Sequence, residues 1–272
     1  LEILPGLAKR SLERSRPLPA ELAWAKKRYS QVCACDGSTL DALLRKVGLL
    51  QENEKNPLAG RMLAILDLVT HLPTQIWYEE DAQAHDQSFL DKVRSHLLKN
   101  SLLIFDLGFT NFTFFRQLSA QDVFFITRAK SNLAFQTESI LLKTAVVHDQ
   151  IGWIGQGDDR QQVRLIRFLY RGKWYRYLTN DLDATRLPVE DAVALYWQRW
   201  RIEDAYAIVK RLLGLAFFHC SAQNAVQMQL WATWILYAVL VDLTDQVAQQ
   251  LNKPFARISM EMVYRSLPFF AK

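Results

Sequence analysis

The stretch Tyr196-Trp197-Gln198-Arg199-Trp200-Arg201-Ile202-Glu203-Asp204-Ala205-Tyr206-Ala207-Ile208-Val209-Lys210 sets the frame for everything else in this chain. At 3.6 residues per turn, positions 196, 199, 203, 207 and 210 share one stripe of a helix, while Leu195, Ile202 and Val209 form an apolar stripe beside it. The helix is expected over Pro188–Leu213, opened by Pro188 with Glu190 and Asp191 in its first turn, and closed near Gly214. Two readings of the polar stripe stand at this point. It is a solvated face on which Arg199 and Glu203 pair at i, i+4 for a few tenths of a kcal/mol. Alternatively, its carboxylate holds a metal ion and its cations hold phosphates.

The spacing Tyr-x2-Arg-x3-Glu-x6-Lys resembles the signature of the type-4 family of insertion-sequence DDE transposases, with Arg199 to Glu203 as its most specific stretch. That resemblance implies that Glu203 is the third carboxylate of a catalytic triad. It also implies that Tyr196 and Arg199 grip a phosphate at a transposon end and that Lys210 holds another. The side chains suit those roles, because arginine binds phosphate bidentately and lysine binds it as a point charge.

Two upstream aspartates must then complete the triad. Asp36 follows an apolar run from Tyr29 to Cys35 and opens Asp36-Gly37-Ser38-Thr39, where a strand is expected to end. An ordinary Asp-Gly turn would look the same. Asp106 follows the short apolar run Leu102 to Phe105 and leads through Leu107-Gly108-Phe109 toward a helix, a place where a lone carboxylate often serves only as a cap. Both resemble the first and second motifs of the family. The implied cofactor is Mg²⁺ or Mn²⁺, two ions per site, because hard cations take oxygen ligands. Two such ions about 3.5–4 Å apart serve in-line displacement at phosphorus. Asp36 is expected to bridge them, with Asp106 and Glu203 each completing one site.

The order of elements suggests an α/β fold, an RNase H-like mixed sheet flanked by helices with a β-rich insertion before the last catalytic helix. Strands are expected at Met62–Asp67, Leu72–Glu79 and Val123–Thr127, helices over Gln87–Lys99 and about 111–120, and a helix or crossover over Leu40–Leu50. Segments 140–148, 151–156, 163–170 and 174–179 read as strands of the insertion. The expected organisation is a basic lead-in at 1–28, a catalytic core at 29–128 and 188–250, an insertion at 129–187 and a helical tail at 251–272. Family members carry a DNA-binding region before the core, and residues 1–28 leave room for only part of one.

The chain has 272 residues, 50% of them hydrophobic, and a net charge of +5, which suits a polyanionic partner without establishing one. Charge is concentrated between Arg160 and Arg176, where six basic residues and no acidic one occur. Phe168, Tyr170, Trp174 and Tyr175 interleave with them. This ribbon reads either as a twisted hairpin with snorkelling arginines or as a nucleic-acid track in which Arg164 and Arg167 meet phosphates. The resemblance adds Trp174 or Tyr175 as the ring that stacks a flipped base.

Cys33 and Cys35 lie in an apolar strand with no partner at ligand spacing, so the three cysteines are expected to be reduced core residues of a cytosolic protein. His219 beside Cys220 reads as a loop or core histidine. The first 30 residues lack the continuous apolar stretch of a signal peptide. The apolar run Leu230–Val241 is shorter than a bilayer span and is expected inside a buried helix at about 223–250, carrying Trp231 and Trp234.

The expected function is therefore cleavage and joining of transposon-end DNA in the bacterial cytoplasm, by a homodimer on paired ends and without a membrane partner. Two rivals stay open, a stand-alone metal-dependent nuclease and a decayed or domesticated transposase that only binds DNA.

Overall fold

A computed structural model of the chain describes residues 24–40, 60–81, 84–215, 218 and 223–270. In chain order the strands are β1 (Val32–Thr39), β2 (Arg61–Asp67), β3 (Pro73–Glu79), β4 (Leu102–Phe105), β5 (Phe124–Arg128), β6 (Gln136–Lys143), β7 (Val147–Ile154), β8 (Gln161–Tyr170) and β9 (Lys173–Thr179). The helices are α1 (Ala25–Arg28), α2 (Leu90–His96), α3 (Phe112–Ala120), α4 (Val189–Trp197), α5 (Trp200–Ala207), α6 (Gln223–Gln250) and α7 (Met260–Phe270). Together they form a mixed α/β fold with a helix-flanked sheet, as expected. They divide into two contact units, one within Gly37–Ala84 and Arg201–Lys272, the other within Leu18–Asp36 and His85–Trp200.

In the second unit the strand order is β1-β4-β5-β9-β8-β7-β6. β1, β4 and β5 run parallel, and the remaining neighbours are antiparallel. Val32 to Cys35 and Leu102 to Phe105 are apolar without alternation because both faces of these central strands are covered. Phe105 is the centre of that core, with the rings of Phe109, Phe114, Phe115 and Phe125 at 5.8, 5.9, 5.9 and 5.8 Å. Asn111 caps α3 by accepting from the Phe114 amide at 2.9 Å. The strands of 129–187 continue the sheet from β5 through β9.

In the other unit β2 and β3 form an antiparallel hairpin. Asp67 Oδ1 accepts from the amides of Val69 and Thr70 at 2.8 and 2.9 Å and shapes its turn. α6 is a core helix here. Its Leu230, Trp234 and Val241 are fully buried, and the Tyr237 hydroxyl donates to the His71 carbonyl at 3.1 Å. By length and composition Asn224–Gln250 would also pass as a membrane span, a property that buried core helices share.

Several expectations change. β1 does not end at Asp36 but continues to Thr39, and the Leu40 amide then bonds the Gly60 carbonyl at 3.0 Å. The expected single helix over Pro188–Leu213 is split. The amides of Gln198 and Arg199 bond back only three residues, to Leu195 and Tyr196, which separates α4 from α5. A π turn at Ile208–Leu212 follows. Leu195, Ile202 and Val209 remain fully buried despite the break. α2 covers only part of Gln87–Lys99, because a 3₁₀ turn occupies Asp86–Phe89 and Leu97 is extended. β6 and β7 begin about four residues earlier than expected, since Gly152 lies inside β7 and the turn falls at Thr144–Val147. Cys33 and Cys35 are buried free thiols. The expectations for residues 1–23 of the lead-in, for most of Leu40–Leu50, and for His219 and Cys220 lie outside the described residues.

Candidate active site

Cys35 of β1 and Phe105 of β4 are register partners on parallel strands. The next residue along the chain is an aspartate in each case, so Asp36 within β1 and Asp106 just past β4 come to matching positions, about 4.8 Å apart. The Arg199 guanidinium donates from Nη1 to Asp36 Oδ2 at 3.1 Å. The Tyr196 hydroxyl donates to Asp106 Oδ1 at 3.0 Å. Tyr196 and Arg199 are only 5% and 6% exposed, which rules out a solvated face for these two residues.

The turn between α4 and α5 is what lets residues three apart address two strands at once. The Tyr196 ring packs at a tilt against Tyr177, centroids 4.3 Å apart, and the Tyr177 hydroxyl accepts from the Trp197 indole at 3.1 Å. Burial, then the charge of Asp106, holds the Tyr196 phenol above its ordinary range, so it is a proton donor and not a phenolate. Burial beside Asp36 and Asp86 likewise keeps Cys35 a neutral thiol.

Glu203 is a half-buried residue of α5, and Lys210 sits in the π turn. In that unit Lys210 Nζ donates to Ser38 Oγ at 2.5 Å and to the Thr39 carbonyl at 2.7 Å, so its ammonium docks on the end of β1. Tyr206 fastens α5 to β2, its hydroxyl accepting from the Ala64 amide at 3.0 Å.

Mg²⁺ commonly takes one or two protein carboxylates and completes its shell with waters and substrate phosphate. The Asp36–Asp106 pair fits that requirement. Among the described residues no group of three His, Cys, Asp or Glu side chains is gathered closely enough to hold an ion.

The basic ribbon separates by strand parity. Arg164 is fully buried and bidentate to Asp149 at 2.8 and 2.6 Å, with Nη1 on the Leu187 carbonyl at 2.6 Å. It therefore anchors the segment entering α4, and the expectation that it meets DNA phosphates is corrected. Tyr175 stacks on Phe168 at 5.4 Å, on the face of the sheet that α4 covers. Trp174 points to the other face, is 42% exposed, and lies beside Arg167 and His148.

Two residues escaped the sequence reading. Arg128 ends β5 on the face of Tyr177, its register partner, exposed and close enough for its charge to oppose the rise at Tyr196. Asp86 reaches toward the Asp106 loop, where a methyl on Gly108 would meet its Oδ2 at 3.2 Å. Neither carries a local motif, and only the fold brings them to the carboxylates.

A helix-flanked mixed sheet of this order is an RNase H-like fold, with Asp36 and Asp106 at matching positions of its adjacent parallel strands. Residues 52–239, more than half of the chain, match the family described as Transposase DDE domain, and the chain belongs to that family. Asp106 and Glu203 fall inside the matched residues and Asp36 before them. Among relatives, a Sinorhizobium fredii protein named as transposase y4zB is 30% identical over 60% of this chain and 48% of its own length. The protein named as transposase for insertion sequence element IS5377 of Geobacillus stearothermophilus is 29% identical over 51% of this chain and 38% of its own. One of Synechocystis, named for insertion sequence element IS4SA, is 21% identical over 58% and 46%. The chain thus spans half or less of the length of these relatives.

Proposed function

We propose that this chain is the catalytic part of an insertion-sequence transposase that cuts DNA at transposon ends and joins the freed 3′-hydroxyl to a second phosphodiester. The observation that carries this reading is the pair Asp36–Arg199 and Asp106–Tyr196, set side by side on parallel strands. In the first step water attacks phosphorus and the 3′-oxygen leaves as a hydroxyl. In the second, that hydroxyl attacks another phosphodiester and a new 3′-oxygen departs. A divalent ion, Mg²⁺ or Mn²⁺, two per site in the full scheme, supplies Lewis-acid activation when bound. Asp36 and Asp106 would hold it, with Glu203 as the third ligand.

Arg199 balances the charge of Asp36, and its guanidinium is assigned to a phosphate at the transposon end. Tyr196 orients Asp106. Lys210 holds the end of β1 and, with Arg128, is assigned to backbone phosphates at the site. Tyr175 is the better candidate for stacking a flipped base, since it shares the α4 face with Tyr196. Residues 29–128 and 188–250 form the catalytic core in this reading, 129–187 the insertion and 251–272 the tail. The partner is double-stranded DNA, engaged by a homodimer in the bacterial cytoplasm.

The test is incubation of the chain with transposon-end duplex and Mg²⁺, alongside Asp106→Asn. Cleavage and strand-transfer products from the unaltered chain, lost in the variant while DNA binding persists, are expected. Cleavage without joined products would indicate a stand-alone nuclease, and binding without cleavage a domesticated module. Retained cleavage by Asp106→Asn would refute the assignment of the site.

A further inference from the structure

Four basic residues stand in one register row across the antiparallel extension of the sheet. Lys143 of β6 is opposite His148 of β7, His148 is opposite Arg167 of β8, and Arg167 is opposite Arg176 of β9. Register partners project from the same face, and strands are spaced about 4.8 Å, so the row is roughly 14 Å long. Like charges directly opposite one another destabilise a sheet. Among the described residues no acidic side chain lies within ion-pair distance of Lys143, Arg167 or Arg176.

The buried Nε atoms of Arg167 and Arg176 lack hydrogen-bond partners. Arg176 spends one Nη1 bond on the Ser131 carbonyl at 2.6 Å, and burial, then the charge of Arg167, holds its guanidinium below the ordinary range. The exposed Trp174 ring lies 5.1 Å from the His148 ring and 5.6 Å from the Arg167 guanidinium carbon. Among the described residues no acidic group offsets this accumulation of charge, whereas a polyanion would.

The row also faces a particular way. Arg164 and Tyr177, of opposite parity on β8 and β9, turn toward the Leu187 carbonyl and Tyr196, on the side of α4 and the carboxylates. Arg167 and Arg176 turn to the other side. We infer that Lys143, His148, Arg167 and Arg176 form a second DNA-backbone track, which takes phosphodiesters of a DNA segment other than the one at Asp36 and Asp106. Trp174 supplies a ring face at its centre. The inference rests on the reading of the chain as a protein that acts on DNA.

A bridging assay tests it. The chain is loaded on a bead-bound duplex of arbitrary sequence, washed, and offered a second, labelled duplex. The unaltered chain is expected to capture the second duplex. The double variant Arg167→Gln/Arg176→Gln is expected to load normally but to capture about tenfold less, with the residual capture less salt-sensitive by about two phosphate contacts. Its melting temperature should be equal or higher, since a like-charge pair is removed. If it melts lower, Lys143→Gln on the exposed strand β6 is the variant to read, with the same loss of capture expected. Capture equal to the unaltered chain, no capture by the unaltered chain, or failure of the variants to load would each overturn the second track. Failure of the unaltered chain to load on DNA at all would instead overturn the proposed function, and the track with it.

Discussion

At the scale of single residues, the site is organised by two side chains that would ordinarily be called flanking. Asp36 and Asp106 come to matching positions because their strands are parallel and in register, but neither is left as a bare carboxylate. Arg199 offsets the charge on one, and Tyr196 donates to the other. Removing the Tyr196 hydroxyl leaves the ring packing against Tyr177 intact and frees Asp106 to rotate. Tyr196→Phe should therefore keep its fold and lower metal-dependent cleavage by about 10–100-fold, the usual cost of losing a partner that orients a ligand. A readout in which circular dichroism is unchanged and cleavage is also unchanged would remove Tyr196 from the site. Tyr177 permits a test by pH. Burial pushes its phenol from the ordinary 10.0 up to about 12. Unfolded chains lose this proton near pH 10 and the folded chain holds it longer, so its contribution to stability is complete below pH 10 and is lost as pH rises toward 12. Urea midpoints should fall across that window, and fall less steeply in Tyr177→Phe.

At the scale of elements, the break between α4 and α5 is the feature that makes the site. Within its unit the turn at Gln198–Arg199 lets Tyr196 reach Asp106 and Arg199 reach Asp36, and a π turn at Ile208–Leu212 shapes the segment that carries Lys210 in the other. π turns of this kind recur at functional sites. The segment entering α4 is pinned from below by the buried Arg164–Asp149 pair and the Leu187 carbonyl. Truncating one member strands a buried charge, so Arg164→Met should cost about 3–5 kcal/mol in chemical unfolding. Arg164→Met/Asp149→Leu should recover much of it, and a double variant as unstable as the single would show that the pair is not the cause. Much of this architecture was legible in the residues. The apolar runs ending at Cys35 and Phe105, the helix at about 111–120 and the four strands of the extension follow from local pattern. The helix break was not legible, because no glycine or proline marks it and tertiary contacts of Arg199 and Tyr196 decide it. The role of Arg164 was hidden for a similar reason. Its position in a basic ribbon signals solvent, and only strand parity turns it inward onto Asp149, while Arg167, three residues on, turns outward.

At the scale of the whole chain, the most ambiguous element is α6, since one sequence property serves two opposite roles. Its length and hydropathy would suit a bilayer, yet its apolar side is already committed within its own unit. Trp234 is fully buried and makes edge contacts with Tyr206 at 5.8 Å and Tyr237 at 5.4 Å. Tyr206 in turn bonds the β2 backbone, so α6 supports the helix that carries Glu203. A span facing lipid would instead show its large residues outward and gain nothing from polar groups such as Thr244 and Asp245, both buried here. If α6 is a core helix, Trp234→Ala creates a cavity and should cost about 3–5 kcal/mol, seen as an earlier unfolding midpoint. It should also reduce cleavage by loosening α5, while the unaltered chain stays out of the floated fraction with neutral lipid vesicles. If Trp234→Ala left stability unchanged and the chain floated with the vesicles, α6 would be a membrane element, and its place in the core of a DDE transposase domain would be wrong.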